Sequence, residues 1–376
     1  MGHVYTPGLK VTEYTKVKKR RILPLKGEVT VKVGDKVDPH DVVARTELPG
    51  NVDSINATNI LGCDPDDLNY FMKVELNQPL VKGDIIAQNK GIFNTGFFKT
   101  QIKMPFNGHV ESMSSVTGNI LLRAKPIPVE VTAYIEGEIS EIIPREGVVL
   151  EANATFIQGI FGIGGERFGE IVTATSDHKT DLTADLVKEE HRNKILICGR
   201  RITSGAFAKA LEMGVKGIVA GGVDDRDLKE ILGEDIGVAI TGSEDVSTTL
   251  IVTEGFGDIP MAERTFELLK KYENRHASIN GATQIRAGVI RPEIVITQPK
   301  PPKGFTEPTE TTVGLDIGSV VRIIRVPYFG HLGEVIDLPP ELQELESGSK
   351  ARVLKVRFKD GKETVIPRAN VETIET

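Results

Sequence analysis

The sequence predicts a multidomain α+β protein with a β-rich first part, a small α/β domain and a C-terminal β-barrel. Three observations lead to this fold class. Residues 17–125 alternate short β-type runs with Gly, Pro and Asn turns, and from residue 193 strand patterns alternate with helix patterns. A Pro-rich stretch then precedes a last series of short alternating runs. With 376 residues, the chain is long enough for several domains that each bury a core.

The first predicted unit, residues 1–125, is a small β-rich barrel or sandwich. Runs such as 29–33 and 80–87 alternate apolar and polar side chains, and Gly-Asp pairs mark the turns between runs. Period-two alternation between turns is typical of half-buried strands. Residues 126–190 show the same alternation and are predicted to be a continuing β segment.

Two turn elements, at residues 34–37 and 79–87, give the N-terminal region a resemblance to the barrel-sandwich hybrid fold of biotinyl and lipoyl carriers. The same fold serves in electron-transport subunits and within RNA polymerase. A carrier needs a lysine on a tight exposed hairpin, and the nearest candidate, Lys73, lacks the Met-Lys-Met context of biotin carriers. The electron-transport relatives hold clustered cysteines that this chain lacks. The resemblance therefore implies the fold, and neither activity is carried over.

Residues 191–297 are predicted to form a small α/β domain. The predicted strands are residues 194–198, 216–220, 236–240 and 249–253. Ser204 is predicted to cap a helix that stops at Gly214, a second helix carries Leu228, and a third begins at Pro260. This alternation of strands and helices implies parallel pairing.

The predicted α/β domain offers one candidate ligand site. Ligands of open α/β sheets bind beyond the carboxyl ends of the strands, and glycines follow several strands here. Two arginines beside a helix N-terminus suit a phosphate or carboxylate. The candidate anion-binding residues are Gly199, Arg200, Arg201, Ser204, Gly221, Gly222, Thr241 and Gly242. The alternative is that the glycines only end strands and the arginines lie at the surface.

The C-terminal segment carries the most informative pattern. Residues 298–312 are predicted to be an extended Pro-rich linker, and residues 313–376 a small barrel whose loop at 327–333 contains two glycines. This pattern resembles the KOW module of transcription elongation factors and ribosomal proteins, an SH3-like barrel. The resemblance implies binding to RNA, the ribosome or RNA polymerase. The residues assigned to that contact are Arg322, Arg325, Tyr328, Phe329, His331, Lys355 and Arg357.

The charge of the C-terminal segment leaves two kinds of partner open. Residues 313–376 hold nine Lys and Arg and ten Asp and Glu, whereas a module that depends on phosphate contacts is expected to be basic. The acids Glu341, Glu344 and Glu346 cluster, however, and leave residues 350–359 as a basic strand. Direct RNA contact and a protein–protein or architectural role both remain as hypotheses.

Catalytic and cofactor signals are weak throughout the sequence. Cys63 and Cys198 are far apart, so a disulfide framework, a zinc site and an iron–sulfur site are disfavoured, and Cys198 is expected to be a buried, inert thiol. The seven histidines have no metal-ligand spacing, and no nucleophile–base pair is visible. We therefore expect no cofactor, and the sequence favours a binding protein over an enzyme.

The bulk properties bear on partners and location. The net charge is −7, so the whole chain has no attraction to nucleic acid or to an anionic membrane, and the basic run at residues 16–21 is a local exception. The first residues lack an apolar signal core, and no stretch is long and apolar enough for a membrane span. These features predict a cytoplasmic protein without membrane contact.

Three functional hypotheses follow. The first is a non-enzymatic adaptor or scaffold that docks on a nucleoprotein machine or another large assembly through protein or RNA contacts of the C-terminal module. The second is an α/β protein, either a binding protein or an enzyme, whose ligand is a small anion or a nucleotide. In this hypothesis the barrels are accessory modules. The third is a self-assembling structural protein, because several β modules in series offer many strand edges.

Overall fold

The N-terminal region is built from short strands. The computed structural model describes residues 9–89, 99–232, 246–283, 290–302, 315–323, 325, 327–328, 331–344 and 350–373. The strands are β1 (Val11–Ile22), β2 (Glu28–Val29), β3 (Lys36–Val37), β4 (Val42–Leu48), β5 (Val52–Asn56), β6 (Ile85–Gln88), β7 (Gln101–Lys103), β8 (Gly108–Met113), β9 (Asn119–Ala124) and β10 (Ile127–Thr132). Two short helices, α1 (Ala57–Leu61) and α2 (Leu68–Phe71), lie between β5 and β6.

The middle of the chain combines strands with three longer helices. Its strands are β11 (Gly137–Ile143), β12 (Gly147–Gln158), β13 (Phe161–Ile163), β14 (Glu166–Thr173), β15 (Lys194–Ile197), β16 (Arg201–Ile202), β17 (Gly217–Val223), β18 (Thr249–Phe256), β19 (His276–Asn280) and β20 (Glu293–Thr297). Its helices are α3 (Ser204–Met213), α4 (Asp225–Leu232) and α5 (Glu263–Lys271).

A large mixed sheet connects these two regions. In the described residues it has twelve strands, with the main order β13-β18-β17-β15-β14-β19-β20-β12-β11-β3, while β1 pairs with β12 and β16 with β17. Strands β14, β15, β17 and β18 run parallel, as the strand–helix alternation predicts, and β16 also pairs parallel with β17. The other neighbours in the sheet pair antiparallel. The domain boundaries predicted at residues 125 and 190 therefore do not divide this sheet, because β1, β12 and β20 are neighbours in it.

The α/β part differs from the sequence expectation at helix starts. The cap of α3 is Thr203, whose side chain accepts a hydrogen bond from the main-chain N–H of Ala206, so the predicted cap Ser204 is the first helical residue. Gly214 ends this helix in the left-handed conformation, as predicted. Helix α5 begins at Glu263, three residues after Pro260. The strand predicted at 236–240 lies outside the described residues.

Three small sheets complete the N-terminal region. Their strand orders are β2-β4-β10, β5-β9-β8 and β6-β7. A core of its own, with Leu68, Ile86, Met104, Ile120 and Leu122 among its fully buried side chains, lies between the last two sheets and the short helices. The region thus holds a separately packed β-rich unit, although β1 and β3 belong to the large sheet.

The C-terminal part, residues 315–373, is a curled sheet that we call the C-terminal half-barrel. Its strands are β21 (Val320–Ile323), β22 (Leu332–Asp337), β23 (Leu342–Glu344), β24 (Lys350–Phe358), β25 (Glu363–Pro367) and β26 (Val371–Thr373). The main order is β23-β24-β22-β21-β26, with β25 against β24. Val321, Val335, Leu354 and Val356 form its core.

The start of the predicted linker belongs to the body of the protein. Gln298 is buried, and its side-chain amide donates hydrogen bonds to the Thr155 hydroxyl and to the Glu13 carbonyl. Residues 303–312 of that linker lie outside the described residues. Within the described part of the chain, none of the helices has the length and apolar character that a membrane crossing requires.

Candidate functional site

The glycines at the ends of the parallel strands are explained by close main-chain packing. A Cβ at Gly199 would lie 2.0 Å from the Asp177 carbonyl oxygen, and one at Gly221 would lie 2.2 Å from the Met261 nitrogen. A Cβ at Gly222 would also meet main chain, at 2.5 Å. Neighbouring segments therefore fill the space beyond these strand ends. Thr241 and Gly242, also assigned to this site, lie outside the described residues.

The charged groups of this predicted anion site are occupied by the protein itself. Arg200 forms two hydrogen bonds to the Asp181 carboxylate, at 2.8 and 3.0 Å, and a third to Asp258. Arg201 contacts the second Asp181 oxygen at 3.3 Å. The main-chain N–H of Ser204 donates to the Asp227 carboxylate at 2.8 Å, which places an internal anion at the start of α3. The structure thus brings the predicted residues together, but as an ion-pair cluster.

Electrostatics at this edge agree with a structural role. Burial acts to raise the pKa of Asp181, but the hydrogen bonds and charges of Arg200 and Arg201 outweigh it and hold the pKa below its ordinary value. Cys198, at the end of β15, is fully buried, and that burial raises the pKa of its thiol far above the usual range. A thiol held neutral in this way is unreactive, as the sequence analysis expects.

The residues assigned to partner contact on the half-barrel fall into two groups. Lys355 is half-buried and Arg357 exposed on β24, and both pair with Glu363 on the adjacent strand, at 2.6 and 2.9 Å. Tyr328 is half-buried against the core and His331 is exposed, with their rings 6.3 Å apart. Arg325 is half-buried, and Phe329 lies outside the described residues. Of the described members, Arg357 and His331 are the exposed ones that a partner can reach.

Arg322 is placed differently from the other predicted contact residues. Its side chain is 2% exposed and pairs with Glu254 at 2.7 Å and with Glu372 at 3.1 Å. Arg291 in turn pairs with Glu372 at 2.6 Å. Because Glu254 lies on β18 of the large sheet, this buried four-residue network joins the half-barrel to the body. A buried arginine with two carboxylate partners is not available to RNA.

A cleft that the sequence analysis missed lies at the opposite edge of the parallel strands. Its volume is about 210 Å³. The sheet contributes residues 166–168, which open β14, and Lys216, which precedes β17. His40 and Tyr134 close it from the N-terminal region. The cleft therefore lies at the amino ends of the parallel strands, where segments from distant parts of the chain meet.

Tyr134 is the most unusual residue of this cleft. It is 3% exposed, and its φ of 72° is rare for a bulky side chain. Its hydroxyl is buried and has no hydrogen-bond partner within the described residues. Burial, followed by the charges of Glu293 and Glu166, raises the pKa of this hydroxyl well above its ordinary value. The phenol is therefore neutral, and its hydroxyl lies near the Glu293 carboxylate and out of contact with solvent.

The other charged groups around the cleft separate into paired and unpaired ones. Arg21 holds Glu166 in a two-pronged ion pair, at 2.5 and 2.8 Å. Arg167 donates to three main-chain carbonyl oxygens, those of Glu166, Val246 and Ser247. Lys216 forms no ion pair with any other described residue. The lining is thus cationic, because its one carboxylate is already neutralised.

Comparisons with known proteins add no identification. No protein-family model matches this chain, and no curated protein matches it. The described residues also contain no group of three or more His, Cys, Asp or Glu side chains arranged to hold a metal ion.

Proposed function

We propose that this protein is a non-enzymatic adaptor whose C-terminal half-barrel docks on an RNA-containing assembly, such as the ribosome or a transcribing RNA polymerase. The observation that carries the proposal is a row of cations along β24 and the turn after it. These are Lys350, Arg352, Lys355, Arg357, Lys359 and Lys362. Five of the six are exposed and Lys355 is half-buried, and Asp360 is the one acid between residues 350 and 362.

Two acids of the half-barrel are already engaged in ion pairs. Glu372 is 1% exposed and held in the network with Arg322 and Arg291, and Glu363 is shared between Lys355 and Arg357. Within the described residues, Lys350, Arg352 and Lys359 have no carboxylate within ion-pair distance. Cations without a carboxylate partner are suited to neutralise backbone phosphates.

Aromatic groups lie at one end of the row. The Lys362 ammonium lies 5.0 Å from the Tyr328 ring centroid, and the Tyr328 and Phe358 rings are 5.2 Å apart. Aromatic side chains beside cations allow an unpaired base to stack while its phosphate is neutralised. This combination supports RNA as the partner over a purely protein surface. The KOW-like pattern of the same segment agrees with that choice.

Salt-dependent binding of a short single-stranded RNA, measured by fluorescence polarisation, tests the proposal. A variant with Arg352→Gln, Lys359→Gln and Lys362→Gln is expected to bind the RNA more weakly. The slope of log K against log salt is negative, and its magnitude should fall by about 2, because each lost phosphate contact contributes about 0.7. The matched control removes three cations from the outer face of β1 with Lys16→Gln, Lys18→Gln and Arg20→Gln. Equal losses in both variants, or no RNA binding by the unmodified protein, would contradict the proposal.

A further inference from the structure

The cleft between the N-terminal region and the large sheet has an excess of positive charge. Glu166 is neutralised by Arg21, and Arg167 is held by main-chain carbonyls with no carboxylate partner among the described residues. Lys216 is half-buried beside them and unpaired within the same residues. Two partly buried cations that lack a counter-charge favour an anion in the space between them. This feature is independent of the half-barrel and of its proposed RNA contact.

The cleft also has an apolar, aromatic side. The Phe168 ring stacks on His276 at 5.1 Å and meets the edge of His40 at 5.5 Å. Pro39 is buried next to it. The volume of about 210 Å³ exceeds the roughly 150 Å³ of an engineered cavity that holds benzene. The space therefore suits one ring with a charged substituent better than a nucleotide.

Tyr134 forms a buried wall of the cleft, with its side chain 3% exposed. Its hydroxyl is closed off from solvent and lies near the Glu293 carboxylate, so it is not a contact for a ligand in the cleft. The residue is also held in the left-handed region at φ 72°, while Ser278 donates a hydrogen bond to its carbonyl at 2.5 Å. Strain of this kind persists where the surroundings fix a side chain in place.

We propose that this cleft is a binding site for a small aromatic carboxylate of about the size of benzoate. The carboxylate lies between Lys216 and Arg167, and the ring lies against Phe168 and Pro39. A bare inorganic anion would leave the aromatic side empty, and a neutral ring would leave the two cations uncompensated.

Isothermal titration of the full-length protein with 4-hydroxybenzoate, its neutral amide and inorganic phosphate tests the site. The carboxylate is expected to bind more tightly than the other two. Lys216→Met is expected to weaken it by about tenfold, the effect of losing one charge-assisted contact. Equal binding of the acid and the amide, stronger binding of phosphate, or no binding by any of the three overturns the proposal.

Two variants serve as controls for the Lys216 contact. Tyr134→Phe is expected to leave the affinity for 4-hydroxybenzoate unchanged, because the hydroxyl is closed off from the cleft. Lys209→Met is the matched charge control, since Lys209 pairs with Glu212 on the surface of α3. Unchanged affinity in Lys216→Met, or an equal loss in Lys209→Met, contradicts the assignment. Neither result bears on RNA binding, which is measured separately.

Discussion

Replacement of Arg322 by methionine is expected to destabilise the protein strongly. The guanidinium is 2% exposed and contacts carboxylates on two different parts of the protein, Glu254 of β18 and Glu372 of β26. Methionine fills much of the same space, but it leaves the Glu254 carboxylate without its ion pair and Glu372 with Arg291 alone. Breaking a buried pair by removing one partner costs about 3–5 kcal/mol. We expect a loss of that size in the free energy of unfolding.

Urea denaturation followed by circular dichroism measures this loss, and hydrogen exchange of β21 and β26 locates it. The control is Arg357→Met on the same half-barrel, where the side chain is 52% exposed and an ion pair is worth at most about 1 kcal/mol. The double variant Arg322→Met with Glu254→Gln should lose less free energy of unfolding than the sum of the two single variants, because no unpaired Glu254 carboxylate then remains in the interior. If Arg322→Met is no more destabilising than Arg357→Met, the network does not join the half-barrel to the body.

Three further predictions concern the edge at which the parallel strands end. Gly221→Ala should destabilise the protein by about 1–3 kcal/mol in urea, because its Cβ would lie 2.2 Å from a main-chain nitrogen; a neutral effect would mean that this edge is open. Asp181→Asn should lower the free energy of unfolding at neutral pH. The difference from wild type should shrink as the pH falls below about 4, because the lowered pKa of Asp181 stabilises the folded protein only while the carboxylate is ionised. A difference that stays constant with pH would refute the ion pairs with Arg200 and Arg201. Thr203→Ala should cost about 1 kcal/mol in thermal unfolding through loss of the α3 cap, whereas Ser204→Ala should cost less; the reverse order would return the cap to Ser204.

The local part of the fold is predictable from the sequence because it depends on short-range patterns. Apolar runs of four to five residues predict β15 and β17. The end of α3 is marked by Gly214, which adopts the left-handed conformation. The pairing of β1 with β12 was not predicted, since about 130 residues separate partners such as Lys18 and Glu151. Period-two alternation shows which side chains share a face, but not which distant strand lies beside them.

The candidate sites show the same limit. Gly199, Gly221 and Gly222 pack closely against main chain, and a glycine signal cannot distinguish such packing from space for a ligand. The sequence pattern around Arg322 suggests an exposed strand residue, because a buried arginine depends on carboxylates far along the chain. The cleft around Tyr134 combines three distant segments, and no local motif marks it.

Ultraviolet crosslinking of the full-length protein to RNA from a cell lysate, with the crosslinked peptides identified by mass spectrometry, tests the central claim most directly. The account predicts crosslinks at Tyr328 or His331 and in peptides from residues 350–362, and their loss in the variant with Arg352→Gln, Lys359→Gln and Lys362→Gln. Crosslinks confined to the basic strand β1, or the absence of any crosslink above that of an unrelated acidic protein, would contradict the RNA-docking role of the half-barrel.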